Sequence, residues 1–456
     1  MNFRKLCVLG LGYIGLPTAS TFAVNGIQVL GVDINPDIVE TLQNGNIHIH
    51  EPGLRDLVSH AIQSGNFSAS TQLEEADAFL IAVPTPFKEH KLGEHNGQKY
   101  KLADMRAVTS ATEAIVPFLR KGNLVVLEST SPPRTTVDLV KPILERSGLK
   151  AGVDFHLCYS PERVLPGQIL RELVENARVV GGVTPESARA GHDLYTNFVK
   201  GKIIETDATT AEMVKIMENT TRDVNIALAN EFSRLAERFG VDVWEAISLA
   251  NLHPRIHILN PGPGVGGHCI SVDPWFFVEG APELTPLIYN ARNVNDAQPH
   301  FVVEKVKQAF SVQPAGLREA SHPDDRQNAT GNTLIGKRIA ALGLAYKADV
   351  DDLRESPAAE VVRLLQKGGA QVIVWEPLKP NGNLEGIHMA SNFDTAIRKA
   401  DAILLLVRHT EFAKISPQAL LSKTKARIAI DAVNAWNKNE WEKAGFLLHR
   451  LGANKS

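Results

Sequence analysis

Along the first 160 residues, runs of four to six apolar positions alternate with longer segments where apolar and polar residues mix at three- and four-residue steps. The runs are Leu6–Leu9, Gln28–Asp33, Ala78–Val83, Leu124–Glu128 and His156–Tyr159. Continuous rather than alternating hydrophobicity is what strands buried on both faces require, so the pattern predicts a parallel, doubly wound sheet with helices between the strands. The plan restarts with Arg338–Leu342, a helix over Ala358–Lys367, and strands Gln371–Glu376, Ala402–Val407 and Arg427–Asp431. Between the two lies a strand-free stretch from Thr209 to about Gln308. In it, Val214, Met217, Thr221, Val224, Leu228, Phe232 and Leu235 form an apolar stripe on a helix of about thirty residues. A Thr209/Glu212 capping box is expected to open that helix and Gly240 to close it. The expected fold is α/β: two sheet domains, at 1–207 and 334–456, joined by a central helical domain at 208–310. Residues 311–333, polar and broken by Pro314, Pro323 and Gly331, read as an exposed linker or insertion.

Composition removes several alternatives. With 44% hydrophobic and 22% charged residues, the chain has the balance of a globular protein. Forty-eight Lys plus Arg against 51 Asp plus Glu leave a net charge of −3, which gives no footprint for nucleic acid or a membrane surface. Three cysteines, Cys7, Cys158 and Cys269, make no disulfide framework. Gly10, Gly12, Gly15 and Pro17 interrupt the N-terminal apolar stretch, which argues against a signal peptide, and the expected location is the cytoplasm.

Chemistry concentrates in a few places. Gly10-Leu11-Gly12-Tyr13-Ile14-Gly15 follows a predicted strand and opens a predicted helix, the Rossmann arrangement in which glycines admit a pyrophosphate to a helix N-terminus. Asp33, 18 residues beyond Gly15, is placed to accept from ribose hydroxyls, favouring NAD over NADP. The matching turn of the second sheet, Gly343-Leu344-Ala345-Tyr346-Lys347, lacks the glycine pattern of a dinucleotide site. Lys347 and Arg354 there suit a phosphate, although a solvated loop explains them equally. Lys215, Asn219 and Arg222 are placed on one helix face away from the apolar stripe, where spacing alone favours a solvated surface over a site.

Gly262-Pro263-Gly264-Val265-Gly266-Gly267-His268-Cys269 puts four glycines in six positions and a thiol just ahead of a helix, with Asp273 read as its N-cap and Pro274 as its first residue. Such a position favours thiolate, the form that attacks carbonyls. Cys7 and Cys158 read as buried core. His253 and His257 lack a third ligand, so no metal is expected, and His253 with Arg255 better suits an anion.

Taken in order, GLGYIG at Gly10, VPTP at Val83, EST at Glu128, SPERVLPG at Ser160, EMVKIMENTTRDVNIALANE at Glu212, NLHPRIHIL at Asn251, GPGVGGHC at Gly262 and GLAYKADVDDLRESPA at Gly343 cover nearly the whole chain. Together they resemble the UDP-glucose/GDP-mannose dehydrogenase family. The resemblance implies a Rossmann domain for NAD, a second Rossmann-like domain for a UDP-sugar, a homodimer built on the central helices, and four-electron oxidation at C6 through a cysteine thiohemiacetal and thioester. It implies Cys269 as nucleophile, Lys215 and Asn219 as oxyanion stabilisers, Asp273 and Glu162 for water and proton handling, and Thr130 beside the reacting centre. Gly10, Gly12, Tyr13, Ile14, Gly15, Asp33, Thr85, Thr130 and Arg354 would serve NAD. Arg163, Val164, Lys215, Asn219, Arg222, His253, Arg255, Gly266, Tyr346 and Lys347 would line the UDP-sugar site.

Where UDP-glucose enzymes of this family read CFPKD, this chain reads Cys269-Ile270-Ser271-Val272-Asp273. Loss of the lysine at Val272 argues against UDP-glucose, and the substrate the resemblance implies is UDP-N-acetyl-D-mannosamine. The same chemistry on UDP-N-acetylglucosamine or UDP-glucose, a two-electron hydroxyacid dehydrogenase using Lys215 without a thiol, and a nucleotide sensor on the same scaffold stay open on the sequence.

Overall fold

The computed structural model describes residues 3–311, 334–380 and 382–453. The expected linker at 311–333 lies, apart from Ser311, outside the described residues. The chain divides into two compact units, Met1–Thr220 with Val272–Pro286, and Thr221–Ser271 with Leu287–Ser456.

The first unit holds β1 (Lys5–Leu9), β2 (Gln28–Val32), β3 (Phe67–Ser70), β4 (Ala78–Ile81), a hairpin of β5 (Phe87–His95) and β6 (Gln98–Ala103), then β7 (Leu124–Leu127), β8 (His156–Tyr159), β9 (Arg178–Gly182) and β10 (Ile203–Asp207). Eight of these form one sheet in the order β10-β9-β8-β7-β4-β1-β2-β3. Its pairs are parallel except β8 with β9. The strands visible as apolar runs are central and buried on both faces. Those without such a run include β3 and β10, the two edges, where Ser68 and Asp207 face water and no continuous hydrophobicity is needed. Strand order reverses between β1 and β4, which opens a crevice at their C-terminal ends.

The second unit repeats the plan with β11 (Arg338–Leu342), β12 (Gln371–Trp375), β13 (Ala402–Leu405), β14 (Ile428–Asp431) and β15 (Leu447–Arg450), all parallel, in the order β12-β11-β13-β14-β15. The repetition extends to side chains. Asp33, just after β2, accepts from Leu11 N at 2.9 Å and Asn35 N at 2.9 Å. Glu376, just after β12, accepts from Leu344 N at 2.7 Å and Leu378 N at 3.2 Å. In each case a carboxylate pins the turn that follows the first strand to the end of the second.

The long helix runs Ala208–Phe239 and ends at Gly240, whose φ of +69° and the Val241 N to Ala236 O bond of 2.9 Å make a Schellman-type close. Its start differs from expectation. Asp207 accepts from Thr210 N at 2.9 Å, while Glu212 accepts from Thr136 N at 2.7 Å and from Arg134 N at 2.5 Å. The acid nearer the helix end wins the cap, which leaves Glu212 to anchor the 130–136 loop.

The apolar stripe is also corrected: Met217 is 53% exposed and Leu228 44%, while Glu212, Lys215, Asn219, Asp223, Asn230 and Ser233 are buried. This helix turns its polar chemistry inward and leaves much of its apolar stripe outside. No helix among the described residues is long and apolar enough to cross a membrane.

Candidate active site

The first glycine motif has the geometry a dinucleotide needs. Gly10 sits at φ +93°, and a Cβ there would lie 2.6 Å from the Ala82 carbonyl oxygen. A Cβ on Gly15 would lie 1.8 Å from Gly10 O, so only glycine lets the helix Gly15–Val24 start this close to the turn. Gly12, in contrast, faces open space. Ile14 precedes the helix without a side-chain cap and no acid occupies the first turn, so the positive end of the helix faces the turn uncompensated, although Leu16 N is already bonded to Gly12 O at 3.1 Å and Pro17 has no N–H. Tyr13 and Ile14 are half-buried beside the turn, and Asp33 is half-buried with lone pairs left for hydroxyl donors. These residues fit NAD.

At the ends of β4 and β7, Thr85 Oγ1 donates to Thr130 O at 2.7 Å and Ser129 Oγ to Val83 O at 2.7 Å, drawing VPTP and EST into one rim. The corresponding turn of the second unit is closed to a ribose. Glu376 is fully buried and shares a 3.1 Å contact with His409 Nε2.

A second group of site residues also lies in the first unit. Lys215 Nζ donates to Glu162 O at 2.9 Å, and Asn219 Nδ2 donates to Asp273 Oδ2 at 2.5 Å. All four residues are buried. Burial pushes the Asp273 carboxyl up to about 6, against the Lys215 charge and the Asn219 hydrogen bond, which pull it down. Asp273 is not the cap expected of it: the helix Asp273–Gly280 takes Val272 as N-cap, and Asp273 is its first residue. Its carboxylate is held by Asn219 instead of turning to the helix's own N–H groups.

Two more groups complete this region. Glu162 pairs with Arg178, which also contacts Glu128 at 3.2 Å. Arg163 pairs with Glu218 and donates to Ala177 O at 3.0 Å, with Val164 half-buried next to it. Arg178 and Glu128 were not singled out by sequence reasoning, because an arginine opening a strand and a glutamate closing one look like ordinary solvated ends. Removing one member of so buried an ion pair costs about 3–5 kcal/mol.

The cysteine loop belongs to the second unit. Cys269 is exposed and not disulfide-bonded, four residues ahead of Asp273 in the chain. Cys7 and Cys158 are buried, and burial pushes both thiols up, so neither is a nucleophile. A Cβ on Gly266 would lie 2.4 Å from Glu355 O, and one on Gly267, at φ +84°, 2.7 Å from the Tyr346 ring. GPGVGGHC therefore lies directly on GLAYK, bringing Gly266 and Tyr346 together.

The base of this loop is anchored by residues with no local signal. Asn230 Oδ1 accepts from Gly262 N at 2.9 Å and Asn225 Oδ1 from Leu259 N at 2.8 Å. Behind them, Arg292 is buried against Asp223. Arg354 is tied to Asp352 at 2.8 Å, while Lys347, Arg222, His253 and Arg255 are exposed. Thus Arg222 faces water, whereas Lys215 and Asn219, expected on the same face, are buried. Among the described residues no group of three or more His, Cys, Asp or Glu could hold a metal ion.

Comparison with known proteins agrees with this layout. Three sequence models of the UDP-glucose/GDP-mannose dehydrogenase family match in order: its NAD binding domain at 4–199, central domain at 209–297 and UDP binding domain at 340–438. NAD is the cofactor that the first of these domains binds. An NDP-N-acetyl-D-galactosaminuronic acid dehydrogenase of Ralstonia solanacearum is 46% identical over 448 residues, covering 96% of this chain and 97% of that protein. A UDP-N-acetyl-D-mannosamine dehydrogenase of Methanocaldococcus jannaschii is 45% identical over 456 residues, covering 99% and 97%. The solved structure of a UDP-D-ManNAc dehydrogenase from Pyrococcus horikoshii superposes with a TM-score of 0.86 at 36% identity, covering 99% of this chain and 100% of that one. With all three domains matched in order and relatives aligned along nearly its whole length, the chain belongs to the UDP-glucose/GDP-mannose dehydrogenase family.

Proposed function

We propose that this chain oxidises UDP-N-acetyl-D-mannosamine at C6 to the uronate in two steps, with Cys269 holding the intermediate. The observation that carries the reading is the buried set of Glu162, Lys215, Asn219 and Asp273, with an exposed thiol four residues ahead of Asp273. Overall, an alcohol, a water and two NAD become a carboxylate, two NADH and three protons, NAD supplying the hydride acceptor at each oxidation.

The chain's own residues do the rest. The Cys269 thiolate adds to the aldehyde to give a thiohemiacetal, and the second oxidation leaves a thioester. Lys215 and Asn219, a cation and an amide donor one helical turn apart, stabilise the oxyanion. Asp273 and Glu162 take protons from the alcohol and the attacking water. Thr130 and Thr85 form the rim at the reacting end of the NAD crevice, and Arg354 is assigned to NAD binding. Arg163, Val164, Arg222, His253, Arg255, Gly266, Tyr346 and Lys347 recognise the UDP-sugar.

A 2-acetamido sugar is supported by the relatives, which are named for such sugars of manno and galacto configuration. Val272, where UDP-glucose enzymes carry lysine, supports the same class. A panel of UDP-N-acetylmannosamine, UDP-N-acetylgalactosamine, UDP-N-acetylglucosamine and UDP-glucose tests it. We expect the highest kcat/KM on the first, with two NADH per sugar. One NADH per sugar would leave only a two-electron dehydrogenase, and binding without NADH only a sensor.

The working form is a homodimer. Its support is the exposed apolar stripe of the long helix, with Met213, Met217, Leu228, Leu235 and Phe239 all facing water in the single chain. Sedimentation at twice the chain mass is expected, and a monomer at micromolar concentration would refute it.

A further inference from the structure

Behind Glu162 lies a cluster that the proposed chemistry does not use. Arg178, the first residue of β9, is 4% exposed and reaches two carboxylates at once: Glu162 through Nη2, and Glu128 Oε1 through Nη1 at 3.2 Å. Nη1 also lies 3.3 Å from Ser160 Oγ, and the guanidinium sits 4.1 Å above the Tyr195 ring. Tyr195 OH donates to Glu128 Oε1 at 3.0 Å. Glu128 Oε2 is buried and has no hydrogen-bond partner. The groups facing Glu128 are therefore Arg178 from β9, Glu162 from the segment after β8 and Tyr195 from the helix Pro185–Tyr195, with Tyr159 of β8 a further titratable neighbour; Ser160 faces the guanidinium and Cys158 lies near Tyr195.

We propose that Arg178 is a positioning residue for Glu162, and that Glu128 competes with Glu162 for the same guanidinium, so that the two carboxylates together set how available Glu162 is as a base. This rests on the reading that Glu162 handles protons. One guanidinium buried between two ionised carboxylates leaves an uncompensated negative charge, whereas one retained proton makes the cluster neutral. The unpaired Glu128 Oε2 is where that proton is least costly, since Glu162 has Arg163 N at 2.7 Å on one oxygen and Arg178 on the other.

While Glu128 is protonated, Arg178 turns its charge on Glu162 alone, orienting that carboxylate and holding it in the pair. When Glu128 ionises, the guanidinium is shared between the two carboxylates and its hold on Glu162 loosens. Burial pushes Glu128 up to about 7, against the pull of Arg178, so the exchange falls in the neutral range.

The test is kcat and KM between about pH 5.5 and 9 for the native enzyme, Glu128→Gln, Arg178→Lys and Glu162→Gln, each checked for folding by circular dichroism. Glu128→Gln mimics the protonated acid. It is expected to match native kcat at low pH and lose the rise near neutrality, ending about tenfold lower at high pH with KM unchanged. Arg178→Lys keeps a cation without its fork and is expected to lower kcat at every pH with KM unchanged. A Glu128→Gln profile superimposable on the native one overturns the proposal, and does so even if the arginine variant fails to fold. If Glu162→Gln loses activity while Glu128→Gln and Arg178→Lys behave as native, only this inference falls. A fully active Glu162→Gln sinks the underlying reading as well.

Discussion

Alanine at Cys269 is expected to abolish uronate formation, with kcat for the full reaction down by about three orders of magnitude or more, while the UDP-sugar and NAD still bind. The side chain is exposed, so its loss opens no cavity and the fold is left intact. The loop keeps its shape because Gly266 and Gly267 are seated on Glu355 O and the Tyr346 ring, contacts that do not involve position 269. What disappears is the proposed nucleophile alone. Without it the aldehyde has no covalent tether, so any residual NADH stops at one per sugar. The direct measurement is mass spectrometry of quenched turnover: native protein carries a mass increment of one UDP-uronosyl group on the peptide bearing Cys269, and the alanine variant carries none. Uronate production by the variant at near-native rate would end the thioester reading.

The parts of this site that were legible in the sequence are those whose physics is local. GxGxxG is readable because the tight turn, the pyrophosphate approach and the helix start all fall within six residues, and the structure adds a 1.8 Å clash that explains Gly15. Strands such as Ala78–Ile81 and Leu124–Leu127 are readable because burial on both faces forces an apolar run. Edge strands β3 and β10 escape that constraint.

The long helix misled for a deeper reason. Periodicity assumes that apolar residues go inside, but here the inward face carries Lys215, Asn219, Asp223, Asn230 and Ser233. Ser233 apart, which also bonds Asn230 O three residues back, their partners lie 32 to 72 residues away, as in Asn230 with Gly262 N and Asp223 with Asn295. No spacing rule finds such pairs. The Thr209/Glu212 box failed for the same reason, since the amides that claim Glu212 are some 76 residues distant.

Asparagine at Asp273 is expected to lower kcat about 10²–10⁴-fold, the usual worth of a positioned general base, and also to change how the protein responds to pH. The substitution is nearly isosteric, and Asn219 can still donate to the new amide oxygen, so packing is preserved. Burial pushes the native carboxyl up to about 6 despite Lys215 and Asn219. The base is ionised above that value, so native kcat falls as pH drops through about 6, and the variant should lack this limb.

Stability moves the other way. A carboxyl whose folded pKa is raised from 3.8 to about 6 contributes its full stability below the unfolded value, and loses it as pH rises through the folded one. Ionising so displaced a carboxyl costs the fold at most about 3 kcal/mol. The variant, with nothing to ionise there, should lose less melting temperature than the native chain between about pH 4 and 8. A residue kept at a stability cost that activity requires is the signature of a catalytic carboxylate. If the variant keeps the acid limb and its melting temperature tracks the native protein across that range, Asp273 is a structural residue and the proton must be taken elsewhere.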